Sequence, residues 1–363
     1  MLSDFSTLSL TPRESIAAPR QHINTKRWTP PLSSEDPTMG KQRLKKTLGI
    51  TCLITIVFGL VPHSIYGWNN TGHMLVARIA WENLDPDVRS KVIELLMQAP
   101  EDACLRQLFP NDSRPLEVRQ RQFFISAATW PDIVRPRDDS DHRVCTKYHR
   151  SQWHFDDHFW SGISGDPNNP PKDVSTIPLA EVNAAERIKI FRDAITSNLP
   201  APDRAMKLAW ILHLVGDIHQ PLHTSGHVTS LASEKNGDRG GNTFKLGFGD
   251  NAPKLHSYWD GIVDRGAPRK SNETFSKYIE RLNTGFQTQF PKTTFTSTLK
   301  PGQIDEWVIE SLTLAKENAY PRTLKRNHFP KPAYQDRCFD VSSESISKAG
   351  YRLAELLNHA FGS

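Results

Sequence analysis

The run Leu212-His213-Leu214-Val215-Gly216-Asp217-Ile218-His219-Gln220-Pro221-Leu222-His223, followed 33 residues later by His256-Ser257-Tyr258-Trp259-Asp260, limits what this chain can fold into. His213 with Asp217, and His256 with Asp260, are spaced i and i+4, so on helices each pair shares one face. A lone His among apolar neighbours is ordinarily a hydrogen-bonded core residue. Five zinc-type donors placed this way, His213, Asp217, His223, His256 and Asp260, point instead to one cleft that holds metal.

From Trp68 onward the apolar pattern is helical. Met74, Ala77, Ile79, Ala80 and Leu84 form a stripe over 72–84, and Asp85-Pro86 opens a second helix reaching about Met97. Further helices are predicted over 118–130, 180–198, 201–215, 305–327 and 342–361, with Pro202 and Asp203 as the start signal of the one carrying His213. The segment 243–248 alternates and is predicted as a short strand after the turn Asp238-Arg239-Gly240-Gly241-Asn242, while the Pro- and Asn-rich stretch 166–172 is a surface loop. No repeat, heptad or linker divides residues 68–363, which are expected to form one mainly α domain.

Residues 1–38 are polar, rich in Ser, Thr and Pro, and without apolar period; they are expected to be disordered, or an extension upstream of a true start at Met39. Residues 39–67 run from Lys41, Arg43, Lys45 and Lys46 through an apolar stretch from Leu48 to Val61 to Gly67, the layout of a secretory signal. The apolar stretch is shorter than the roughly 18 to 20 residues that span a bilayer, so a retained anchor is the weaker alternative. The expected destination is outside the cell or the periplasm, with no stable membrane association after cleavage.

Cleavage there changes the charge argument. The chain carries 45 Lys and Arg against 40 Asp and Glu, but residues 1–67 hold 8 against 4, leaving 37 against 36 beyond them. Bulk charge therefore gives no sign of a nucleic-acid-binding surface. Of the cysteines, Cys52 lies in the expected signal, and Cys104, Cys145 and Cys338 lie beyond it. Export permits one disulfide among these three, and spacing does not choose the pair. None has a CxxC partner, so the metal reading rests on His, Asp and a new N-terminus.

Three more segments set candidate donors beside Trp or Phe: Trp68-Asn69-Asn70-Thr71-Gly72-His73, Trp130-Pro131-Asp132 and Trp153-His154-Phe155-Asp156-Asp157. In this order and spacing the chain resembles the zinc-dependent single-strand-specific nucleases of the S1/P1 type, from Trp68 to about Phe361. The resemblance implies a single all-helical domain of the phospholipase C and zinc nuclease type, with a short β-hairpin. It also implies three Zn2+ ions. Asp132, His154 and His213 would hold the first and share Asp217 with a second, which His73 and the amino group and carbonyl of Trp68 would complete. His223, His256 and Asp260 would hold the third. An amine at Trp68 exists only after the preceding bond is cut, so the uncleaved precursor is expected to be metal-deficient.

The same resemblance implies hydrolysis of single-stranded DNA and RNA to 5′-nucleotides by a monomer, with removal of 3′-phosphate from 3′-nucleotides. Zinc would acidify water and offset charge on the phosphate. Arg135, one turn after Asp132, is placed to hold a non-bridging phosphate oxygen, or else forms a surface ion pair. Phe155 would stack on a base and Asp157 would accept hydrogen bonds from its edge, which favours unpaired strands; packing is the alternative for Phe155. Asn242 resembles a residue that shapes the site, though its position alone makes it a turn residue. His142, His149, His158, His219, His227, His328 and His359 match no ligand position. Asn69, Asn111 and Asn272 begin glycosylation sequons.

Two rival functions remain at this level. A zinc phospholipase C has a similar ligand order, but its usual Glu ligand has no match here. A storage or structural zinc protein would normally close its sites with four protein ligands, whereas His223, His256 and Asp260 are three.

Overall fold

The computed structural model describes residues 68–138, 140–249 and 252–362, so the expected disordered segment and export signal lie outside the described residues. Eleven α-helices occur among them: α1 Asn70–Asn83, α2 Pro86–Leu96, α3 Leu116–Ala127, α4 Trp130–Ile133, α5 Ala184–Ala194, α6 Ala201–Asp217, α7 Leu255–Asp260, α8 Ile262–Gly266, α9 Phe275–Gln289, α10 Ile304–Asn318 and α11 Pro332–Phe361. Their ends follow local chemistry. The Asn69 side chain accepts from Gly72 N and caps α1, and Pro86 takes the first position of α2, where a missing N–H costs nothing.

Some boundaries differ from expectation for identifiable reasons. The helix predicted to run to 327 stops at Asn318, because Pro321 disfavours helical backbone in the residue before it. The last helix begins at Pro332, ten residues earlier than the apolar stripe indicated. Helix α9 was not predicted, although Thr274 caps it and Tyr278, Ile279, Leu282 and Phe286 line its buried face. The strand predicted over 243–248 is absent: only Lys245 bridges to Lys254, and Gly247 and Gly249 turn the backbone to φ of +89° and +86°, outside strand geometry.

Helix α1 lies at the centre, packed on α3, α6, α9 and α11. Gly350 of α11 permits a close approach to α1, since a Cβ there would sit 2.6 Å from Ile79 Cβ. Trp68, Trp130, Trp160, Trp259 and Trp307 are fully buried. No helix among the described residues is long and apolar enough to cross a membrane.

A three-stranded sheet completes the fold: β1 (His158–Ser161) pairs antiparallel with β2 (Lys172–Asp173) and parallel with β3 (Ser225–His227). The antiparallel pair is the small hairpin. The parallel pair is what positions the site, because β1 follows His154 and Phe155 while β3 follows His223. Asp156 N donates to His223 O at 2.8 Å and His158 N donates to Thr224 O at 3.0 Å, which locks the two donor segments side by side.

Candidate metal centre

His213 and Asp217 occupy the last turn and a quarter of α6, on the face toward α1, and His73 reaches them from the first turn of α1. Asp132 comes from α4, and His154 from a single 3-10 turn over Ser151–His154. His256 and Asp260 lie one turn apart on α7. His223 ends a 3-10 turn that Pro221 opens, just after α6 has stopped.

These residues form three groups, each with donor atoms within 4.8 Å of one another: His73, His213 and Asp217; Asp132, His154 and His213; His223, His256 and Asp260. All are buried. Asp217 sits between the first two. Its carboxylate is 3.4 Å from His73 Nε2, 3.0 Å from His154 Nδ1 and 3.2 Å from His213 Nε2, and it lies 3.6 Å from His223 Nδ1.

The imidazoles are aimed by their other nitrogens. His213 Nδ1 donates to Ala128 O at 2.8 Å, His223 Nδ1 to His154 O at 2.6 Å, and His256 Nδ1 to Gly240 O at 2.7 Å. Each bond fixes a tautomer and leaves Nε2 as the inward donor, as in metal sites. Gly240 reaches His256 through a φ of +61°, where a Cβ would stand 2.2 Å from Leu222 O.

Several polar atoms of these side chains lack hydrogen bonds. His73 Nδ1 and Nε2, Asp132 Oδ2, Asp217 Oδ1, His223 Nε2, His256 Nε2 and Asp260 Oδ2 are all buried without a hydrogen bond. Buried polar atoms are almost always satisfied, so a convergent set of orphaned N and O donors fits cations.

The donors set one another's charge states. Burial pushes the Asp260 carboxyl well above the usual range, with the Gln220 hydrogen bond working against it. Burial opposes the charge on Asp217 too, but His213 and His223 outweigh it and hold Asp217 well below the usual range. Burial likewise opposes a proton on His213, yet Asp217 and Asp132 push that ring up to about 9. Burial and His213 depress His73 to about 4, and burial with His223 depresses His256 to about 3, leaving both neutral as ligands must be.

The remaining predicted positions surround this centre. Trp68 is buried beneath α1, its ring close to Gly216, and Asn69 N donates to Asp260 O at 3.1 Å. Arg135 follows α4; burial, then His154, then Arg135 depress His149 to about 4, and the His149 ring centroid is 6.3 Å from that of His154. The half-buried Phe155 ring lies 4.8 Å from His223 and 6.0 Å from His256. Burial, with Asp238 and Asp156, pushes Asp157 up to about 8, and its Oδ1 has no partner. Asn242 Nδ2 donates to Arg239 O at 2.8 Å within its turn, while its Oδ1 is buried and unpartnered.

Sequence reasoning did not single out Gln220, which donates to Asp260 Oδ1 at 2.7 Å and accepts from Leu222 N at 2.6 Å. Its position between two predicted ligands was the available signal. His219, in the same loop, is buried and takes a hydrogen bond from Arg352 of α11 at 2.8 Å. Of the three sequons, Asn111 and Asn272 are exposed, whereas Asn69 spends its side chain on the α1 cap and on Asp264.

A helical frame that converges three buried His and Asp clusters is the architecture of a metal-dependent enzyme. The model of the S1/P1 nuclease family matches residues 68–362, and the chain belongs to this family. It is 24% identical to Endonuclease 2 of Arabidopsis thaliana, over 86% of this chain and 97% of that protein. It is 22% identical to Nuclease S1 of Aspergillus oryzae, over 81% of this chain and 91% of that protein, and 22% identical to Nuclease P1 of Penicillium citrinum, over 82% and 98%. Membership selects a hydrolytic nuclease acting on nucleic acid over a phospholipase C or a storage protein.

Proposed function

We propose that this chain is an exported, zinc-dependent endonuclease that hydrolyses single-stranded DNA and RNA to 5′-nucleotides and removes 3′-phosphate from mononucleotides. The observation that carries the reading is the set of buried donors without hydrogen bonds: His73 Nε2, Asp132 Oδ2, Asp217 Oδ1, His223 Nε2, His256 Nε2 and Asp260 Oδ2 lie within the three groups. His154, His213 and Asp132 would hold one Zn2+. His73 and the Trp68 main chain would hold a second, with Asp217 shared between the two. His223, His256 and Asp260 would hold the third. When bound, the ions supply Lewis acidity, which lowers the pKa of water and offsets phosphate charge.

The protein's own groups do the rest. Arg135 offers a planar fork of donors to a non-bridging phosphate oxygen. Phe155, beside His223 and His256, offers a ring face to an unpaired base, and duplex stacking denies it that contact. Asp157, protonated at neutral pH by its raised pKa, presents both a donor and an acceptor to the base edge. Asn242 borders the third group through its turn.

Export and processing belong to the same reading. The family match begins at Trp68, which supports cleavage before that residue and a free amine there as a ligand. The mature enzyme acts as a monomer without a membrane anchor.

The decisive experiment is metal analysis with release of acid-soluble nucleotide from denatured DNA or RNA, on protein whose N-terminus has been verified as Trp68. Three zincs per chain and preference for denatured over duplex DNA are expected. Protein with three zincs that cleaves no phosphodiester or phosphomonoester would overturn the reading.

A further inference from the structure

Behind the Trp130–Asp132 segment, two short 3-10 turns, Glu101–Ala103 and Val144–Tyr148, pack on each other. Asp102 of the first takes hydrogen bonds from Lys147 and from Tyr148 Oη of the second. Trp130 Nε1 donates to Ala103 O at 2.6 Å, and the Trp130 ring lies 6.0 Å from that of Tyr148. The start of the second turn is tied forward as well, because Arg143 donates to Ile133 O at 2.8 Å and to Arg135 O at 2.9 Å. In this clasp the Asp102 bonds to Lys147 and Tyr148 bring Cys104, two residues after Asp102, beside Cys145, two residues before Lys147, and both are free thiols close enough to influence each other's ionisation.

We propose that Cys104 and Cys145 form the disulfide of the mature protein, leaving Cys338 as a thiol. Sequence spacing does not select this pair; the fold does, because the packed turns set Cys104 and Cys145 beside each other and leave Cys338 apart. Cys338 lies elsewhere, fully buried in α11, where Tyr334 shares its surroundings. Cys104 has a left-handed φ of 59°, an uncommon conformation for a side-chain-bearing residue, and is partly exposed, so an external disulfide can reach it.

The chemistry is thiol–disulfide exchange. The Cys104 thiolate attacks one sulfur of an external small-molecule disulfide, forming a mixed disulfide and releasing one thiol. The Cys145 thiolate then attacks the Cys104 sulfur and releases the second thiol. Two protein thiols are oxidised, and the external disulfide takes up the two electrons and two protons. Burial and contact with Cys145 push the Cys104 thiol up to about 11, so the first attack is slow and the second, within the clasp, is intramolecular. The closed loop carries Trp130, Asp132 and Arg135, so the bond limits unfolding of the segment that supplies Asp132.

The test is a non-reducing tryptic map of the folded protein after incubation with glutathione disulfide and then iodoacetamide under denaturing conditions. The expected product joins the peptide 92–106 to the peptide 144–147, two hydrogens lighter than their sum, with Cys338 carboxamidomethylated. Recovery of both peptides singly alkylated, a stable glutathione adduct on Cys104 alone, or a link from either cysteine to Cys338 would overturn the proposal. Melting provides a second readout that does not depend on mapping. Reductant should lower the melting temperature of the oxidised protein by roughly 5 °C and leave Cys104→Ser and Cys145→Ser unmoved. Equal sensitivity of the oxidised wild type and both variants to reductant would also overturn it.

Discussion

Gln220 Nε2 donates to Asp260 Oδ1 at 2.7 Å, tying the loop between Asp217 and His223 to the last residue of the helix that carries His256. The bond leaves Asp260 Oδ2 free, 3.8 Å from His256 Nε2, and burial otherwise pushes that carboxyl toward its neutral form. Gln220 thus both orients Asp260 and favours its charged state. Gln220→Met should weaken the third cation by about 10- to 100-fold while the other two remain, as expected for removal of a group that orients a ligand. Zinc titration against a competing chelator measures this, and unchanged affinity of all three sites would remove the role from Gln220.

Asp217 contacts His73, His154 and His213 with one carboxylate. A neutral amide bridges two cations poorly, so Asp217→Asn should lose at least one zinc and lower turnover by roughly 100-fold or more. Full metal content and turnover would sink the bridging assignment.

His73 owes its place to an absence. A Cβ on Gly216 would lie 2.8 Å from His73 Nδ1, in a ring that stacks at 3.8 Å on His213. Gly216→Ala should therefore displace His73 and cost about 1–3 kcal/mol of stability, as overpacking does. Denaturant unfolding with and without chelator separates the two effects. A variant as stable as the wild type, with full zinc, would show that the helix yields easily there.

How far this centre could be read from sequence depended on the kind of residue. His213 with Asp217 and His256 with Asp260 were legible because a ligand pair one turn apart writes itself into the chain. The helix starts at Pro86 and Ala201 were legible for the same local reason. Gln220 was not, since its function depends on Asp260, 40 residues away and brought near only by folding. Nor was the parallel pairing of β1 and β3, which no hydrophobic alternation announces in strands this short. The mistaken strand at 243–248 shows the converse: its alternation was real, but two glycines at positive φ broke the ladder.

Protons and cations should compete at His213. In the metal-free protein Asp217 and Asp132, against the effect of burial, push this ring up to about 9, above the ordinary 6.5. A raised folded-state pKa contributes stability that is fully present below about 6.5 and is lost as pH climbs through about 9. Metal-free protein should therefore lose stability across that interval through this residue. A bound cation takes the place of the proton, so zinc binding near pH 7 should release a proton from His213, and affinity there should rise with pH up to about 9. Calorimetry in buffers of different ionisation enthalpy counts the protons. Zinc binding with no proton release at the Asp132, His154 and His213 group would mean that His213 is neutral before the metal arrives, and that Asp217 is held in its charged state by its other neighbours alone.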